Sequence, residues 1–315
     1  MKLLVGTKTG FVKVEYKGGG DWRVIDRGLD GHTVTNLVVR QNYILAGTYN
    51  GIFRSDDNGR TWREASNGLT ARDICWLIAH PTVPNCTFAG TEPAAIFISY
   101  DGGISWQECP EVAQLRDELG WWVPYSAEAG CVRSFAFSGS RAYAAAEVGG
   151  VLRSDDNGTT WDLVEGSKTG ARSGGSVHPD VHTVVIHPSS PDLVFASTGG
   201  GFYQSKNGGR TWICLYHCYV HGIWADPTDP AHMILGPGAG PSGRNGRIEE
   251  TFDGGQTWHP LTEHWSDKMV GKFIQFDNTL FAVMSNYSVL STNLDTLEWK
   301  PVFTNISGIT NLALA

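Results

Sequence analysis

Ser55–Trp62 reads SDDNGRTW, and Ser154–Trp161 repeats it almost letter for letter as SDDNGTTW. An acidic, glycine-bearing octet admits two readings: a metal or catalytic site, or a turn. Its copies decide between them. Ser99–Trp106 carries Ser105 where the octet has Thr, Ser205–Trp212 has Asn207 for the aspartate, Thr251–Trp258 opens on Thr, and Ser291–Trp299 is stretched and degenerate. Each copy follows a strand, a loop and a second strand, as in YILAGTYNGIFR before Ser55 and RAYAAAEVGGVLR before Ser154.

The tryptophans that close the units are Trp22, Trp62, Trp106, Trp161, Trp212, Trp258 and Trp299, in steps of 40, 44, 55, 51, 46 and 41 residues. That period suits one four-stranded propeller blade. A further apolar strand precedes each unit, among them VTNLVVR, CVRSFAF, VHTVVIHP and VHGIWADP, and only the N-terminal unit lacks it. The missing piece stands at the other end, where ITNLALA (309–315) matches VTNLVVR (34–40). The expected fold is all-β: one domain over 1–315, a seven-bladed β-propeller whose first blade combines 309–315 with 1–26. The C-terminal strand would remove the open edge that invites aggregation.

The octets resemble the Ser-x-Asp-x-Gly-x-Thr-Trp pattern of the Asp-box, or bacterial neuraminidase repeat, along essentially the whole chain. The resemblance is specific for fold and weak for function, because Asp-box propellers include sialidases, xyloglucan-degrading glucanases, sortilin-type receptors and a photosystem II assembly factor. Sialidases have six blades and an early Arg-Ile-Pro motif, whereas this chain counts seven blades and lacks that motif. Xyloglucanases place their carboxylates between two propellers, and 315 residues make one. In the octet itself, Asp57 or Asp156 can accept backbone N–H bonds, Gly59 or Gly158 can take positive φ, and Trp62 or Trp161 can bury between blades. A catalytic site occurs once, and this element recurs, so it is punctuation. A calcium loop is excluded by the short span and the missing distal Glu.

Composition bounds the partners. A net charge of -8 without basic runs argues against nucleic acid and anionic membranes. The N-terminus passes straight into strand-like alternation with no apolar leader, so the expected location is cytoplasmic, and the six cysteines are expected as buried reduced thiols.

Function should lie where the blades differ, on the face opposite the Asp-boxes. There the insertions PEVAQLRDELGWWVPYSAEAG, EGSKTGARSGGSVHPD and GPGAGPSGRNGR fall in or between blades three to six, which makes that stretch the expected ligand face. Aligned inner strands present Thr310, Thr35, Cys75, Arg133, His182, His221 and Lys272 at the channel mouth. Glu92 and Glu147 each stand seven residues before an Asp-box serine. His182, His221, Glu92 and Glu147 are the candidate catalytic groups. The same cluster could instead neutralise itself around a water-filled channel, or hold a divalent metal through His182, His221 and Glu147. Arg133, Lys272, Tyr49, Arg244 and the Trp121–Trp122 pair, flanked by Pro124 and Tyr125, are the candidate ligand-binding residues. The tryptophans could equally staple a long loop to the rim. Cys214, His217, Cys218 and His221 have ligand-like spacing, but a strand sends them to alternate faces. His178, His187, His217 and His232 show no partner in the sequence. Two functions follow: binding of a small-molecule, carbohydrate or protein ligand, or a glycosidase-like hydrolase or lyase acting on a carbohydrate or carboxylated substrate. No cofactor can be named beyond a divalent metal at the mouth.

Overall fold

A computed structural model describes residues 1–123, 129–168 and 175–315. Seven antiparallel four-stranded sheets follow one another around a ring, forming a seven-bladed β-propeller. The first blade is closed across the chain ends: Ile309–Leu314 pairs with Lys2–Thr7, with Leu3 opposite Leu314 and Val5 opposite Leu312. Its outer strand runs to Gly28, two residues beyond the expected end. Cores form between neighbouring blades, as where Leu3, Val5 and Leu312 of blade one meet Phe281 and Val283 of blade seven.

The octets are turns, and their chemistry is repeated. In the first, Ser55 Oγ accepts the Gly59 N–H at 2.8 Å, and Asp57 accepts the Thr61 N–H at 2.8 Å and its hydroxyl at 2.6 Å. Asn58 and Gly59 lie at φ 63° and 90°, a reversal that glycine makes without a steric penalty. The copies at Ser99, Ser154, Ser205 and Thr251 repeat the serine or threonine latch onto the glycine N–H. These turn bonds hold Asp57 at a pKa of about 2.

Two expectations change here. Pro110–Leu119, read from the sequence as loop, is an α-helix with Pro at its start and Gly120 closing it in the left-handed region. Only Val112 of this helix is buried, so no apolar stripe announced it. Glu111 ties it to blade four by accepting the Trp161 N–H at 2.8 Å. Cys75 and Cys131, expected as thiols, form a disulfide between the inner strands of blades three and four. The strand periodicity of each blade said nothing about this pairing, because it depends on two blades meeting. Cys86, Cys109, Cys214 and Cys218 are free.

Candidate functional site

Each inner strand skips one or two residues of its ladder near the channel mouth: Thr310, Thr35, Cys75, Arg133, His182, His221 with Gly222, and Gly271. A bulge frees a side chain from the pleat and re-aims it. At three junctions the freed side chain turns sideways and latches the next blade. Thr310 Oγ1 donates to Val34 O, Thr35 Oγ1 to Ile74 O at 2.7 Å, and His182 Nδ1 to Val220 O at 2.8 Å. The disulfide joins blades three and four at the same level. Thr310, Thr35 and His182 therefore serve the ring itself. In blade seven the bulge falls on Gly271, one residue before Lys272.

A cavity of about 480 Å³ opens at this mouth. Its wall includes Tyr49, Cys75, Glu92, Arg133, Glu147, His221 and Lys272 from the sequence-derived set. It also includes Asp73, Tyr219, Met269 and Tyr287, which the sequence reading passed over. Blades one, two, three, four, six and seven line it, and blade five does not. The cavity thus draws on more blades than the three to six expected for the ligand face. Bulged positions reach it from six blades, whereas of the insertions only Pro241 enters its wall among the described residues.

The insertion residues illustrate this. Trp121 is 4% exposed and packs with Ala94, Ile96 and Val132, while Trp122 is 60% exposed, so the pair is no shared platform and Trp121 is the staple. Pro124 and Tyr125 lie outside the described residues. Arg244 is exposed and away from the cavity wall. Its neighbour Arg247 is the engaged arginine, donating to Glu249 at 2.7 Å and Tyr216 at 2.6 Å. His187 and His232, left without partners by sequence, are both bonded: His187 Nε2 to Asp226 O, and His232 between Asp226 and Glu250.

Charged groups enter the cavity wall from blades three, four and seven. Arg133 holds Glu147, which is nearly fully buried, at 2.6 Å. Lys272 reaches from blade seven across the channel to lie 4.7 Å from the centre of the blade-three Trp76 ring, and it has no carboxylate partner among the described residues. Burial, with Arg133 nearby, lowers its pKa to about 8. Asp73 and Glu92 stand on the blade-three side. His182 and His221 meet as stacked rings, 3.7 Å between centres and 15° between planes. Burial, then His182 and Arg133, push His221 well below the usual histidine range. Flat stacking keeps the two rings from converging on one ion. The trio His182, His221 and Glu147 is therefore replaced by Glu147, Asp180 and His182, whose ligand atoms lie within 4.8 Å of one another. Asp180 was legible in principle, since His178-Pro179-Asp180-Val181-His182 alternates ligand types along an extended chain. A second metal-compatible group, Cys75, Glu92 and Cys131, has its sulfurs committed to the disulfide.

A larger depression of about 1060 Å³ opens on the Asp-box face. Its charged groups are already engaged: Arg40 donates to His80 O, Arg54 holds Asp56, and Asp57 closes its own turn.

The family model for the BNR/Asp-box repeat matches residues 97–108, the outer hairpin of blade three. No curated protein matches the chain in sequence. Among solved structures, YCF48 bound to D1 peptide has a TM-score of 0.64 and 16% identity over 93% of this chain and 87% of that one. An ancestral GH74 enzyme gives 0.61 and 18%, with 89% of this chain covering 38% of the enzyme. The GH74 xyloglucanase from Xanthomonas campestris gives 0.61 and 16%, with 86% of this chain covering 45% of it. This chain thus spans less than half of either enzyme, and identities this low carry the fold alone. With the repeated turns and the seven-sheet ring, the chain is a seven-bladed β-propeller of the Asp-box, or BNR-repeat, type.

Proposed function

We propose that the channel-mouth cavity binds a small polyhydroxylated acid, with a carboxylated sugar as the representative class. The observation that carries this reading is Lys272, a half-buried ammonium in the cavity wall with no acidic partner among the described residues and a second cation, Arg133, nearby. A carboxylate there would meet two donors, while Asp73 and Glu92 in the same wall would accept from hydroxyls. Tyr49 and Tyr287 offer aromatic faces for a sugar ring. The volume suits a ligand of that size.

Hydrolysis has less support, because Glu147, one of the two candidate carboxylates, is buried in its ion pair with Arg133. A peptide lying across the face, suggested by the YCF48 structure bound to a peptide, is the competing binding mode. Calorimetry with glucuronate, with glucose as the neutral control, tests the proposal. Glucuronate should bind, glucose should not, and Lys272→Met should abolish the difference. Equal binding of both sugars, or glucuronate affinity unchanged in Lys272→Met, would overturn it. Release of the phenol from an aryl glucuronide, which carries the glycosidic bond that free glucuronate lacks, would restore the hydrolase reading.

A further inference from the structure

We propose that Glu147, Asp180 and His182 form a site for a first-row divalent metal in the seam between blades four and five. The inference is independent of the sugar-acid reading, and it begins with two orphaned atoms. The His182 side chain is fully buried, and its Nδ1 faces Val220 O at 2.8 Å. A carbonyl can only accept, so Nδ1 carries the hydrogen, and the neutral ring presents a lone pair at Nε2. That nitrogen lies 3.2 Å from Asp180 Oδ1, yet the geometry makes no hydrogen bond, and neither atom has any other hydrogen-bonding partner among the described residues. Two buried acceptors aimed at the same space are costly unless something positive lies between them.

A metal ion answers that arrangement, and the surroundings agree with it. An imidazole whose other N–H is fixed on a backbone carbonyl has the orientation that metal-binding histidines use. Glu147 completes the set within 4.8 Å. It enters from blade four with one oxygen on Arg133, so its second oxygen can ligate. One imidazole and two carboxylates, with no thiolate, suit manganese, iron, cobalt or zinc better than calcium, which prefers a larger all-oxygen shell. Asp180 is 27% exposed and Glu147 lines the cavity, which gives an ion a way in. The hairpin loop of blade five leaves room for the carboxylate only because residue 199 is glycine, where a Cβ would collide with Asp180 Oδ2.

The competing occupant is a second proton on His182, giving an imidazolium beside Asp180. Calorimetric titration of the full, disulfide-intact chain with Mn²⁺ and Co²⁺ after chelator treatment separates the two. One ion per chain is expected, with a cobalt spectrum free of thiolate charge transfer. Asp180→Asn and His182→Ala should abolish binding. Gly199→Ala, which changes no ligand, should weaken it by roughly ten- to a hundredfold through the displaced carboxylate. Should a ligand variant fold poorly, melting of Gly199→Ala with and without Mn²⁺ supplies the readout, since an ion bound to the native state raises Tm only where the site is intact. Binding that Gly199→Ala leaves unchanged, a thiolate band, or no ion bound by the parent chain would each overturn the site.

Discussion

The two faces of this propeller are built from the same strands and treat polar groups in opposite ways. On the Asp-box face, serine or threonine, aspartate and the closing threonine satisfy one another in nearly the same bonds from blade to blade, as at Ser55–Thr61 and Ser154–Thr160. At the channel mouth only the latches recur, Thr310 on Val34 O and Thr35 on Ile74 O, and the remaining groups differ from blade to blade. There a lysine lies over a tryptophan, two histidines stack, and His182 Nε2 and Asp180 Oδ1 are buried without hydrogen-bonding partners among the described residues. Repetition of the same satisfied turn is what stability selects. Irregularity with unsatisfied groups is where a rigid ring can accept a ligand. Damage to the first face or to the ring should therefore cost stability, and damage to the second should cost binding.

The severest break of that comparison removes the closure both faces depend on. Deleting 309–315 takes buried Ile309 and Leu312 and the ladder opposite Leu3–Thr7 from blade one. At about 1.5–3 kcal/mol per buried aliphatic side chain plus the lost pairing, the destabilisation should exceed about 5 kcal/mol and leave an edge open to aggregation. Gel filtration and melting check this, and a truncated monomer melting with the parent would refute ring closure. Next in size is the Cys75–Cys131 bridge. Its reduction should cost about 2–4 kcal/mol in denaturant unfolding. Peptide mapping under non-reducing alkylation should recover this pair linked, with the other four cysteines alkylated.

A smaller effect separates the faces directly. Ser154→Ala removes the buried hydroxyl that accepts the Gly158 N–H at 2.9 Å and donates to Asp156 at 2.7 Å. Leaving that N–H unpaired should cost about 1–3 kcal/mol and leave glucuronate binding unchanged. Lost binding with unchanged stability would mean the octets are functional after all.

How much was legible follows the same division. The closing tryptophans and the match between 309–315 and 34–40 revealed the blades, because every repeat needs the same turn and the same interblade ring. The height shared by His182 and His221 was also readable from strand register, and the rings do meet. What a single blade cannot show is where a bulged side chain goes. His182 turns away from the cavity to latch Val220, Asp180 takes the place expected for His221, and Cys75 finds Cys131, each through contact with a neighbouring blade. Arg244 and Trp122 were drawn in by the insertions, and both side chains are exposed and outside the cavity wall.

The mildest perturbation, pH, distinguishes the faces by sign. Asp57 and Asp101 have folded pKa values of about 2, below the ordinary carboxylate value near 3.8. For Asp57 the Thr61 hydroxyl and N–H are the main cause, and for Asp101 burial pushes upward but is outweighed by the bonds from Ser105, Ser99 and Ile104 together. Their stabilisation is therefore complete above the unfolded value and is lost as pH falls from about 4 toward 2, where the unfolded chain binds more protons. Lys272 is also depressed, to about 8 from 10.5, but it is a base, so the native state prefers its neutral form. Between about 8 and 10.5 the unfolded chain again holds the extra proton, and this one group makes stability rise with pH. Over the same window its charge disappears from the cavity, so affinity for glucuronate should fall. The measurement is a pair of pH series, unfolding free energy and calorimetric affinity, for the parent and Lys272→Met. The variant should lose the alkaline rise in stability and keep the acid loss, which belongs to the Asp-boxes. Parent affinity that stays constant from pH 7 to 10 would remove Lys272 from the site, whatever the stability series shows.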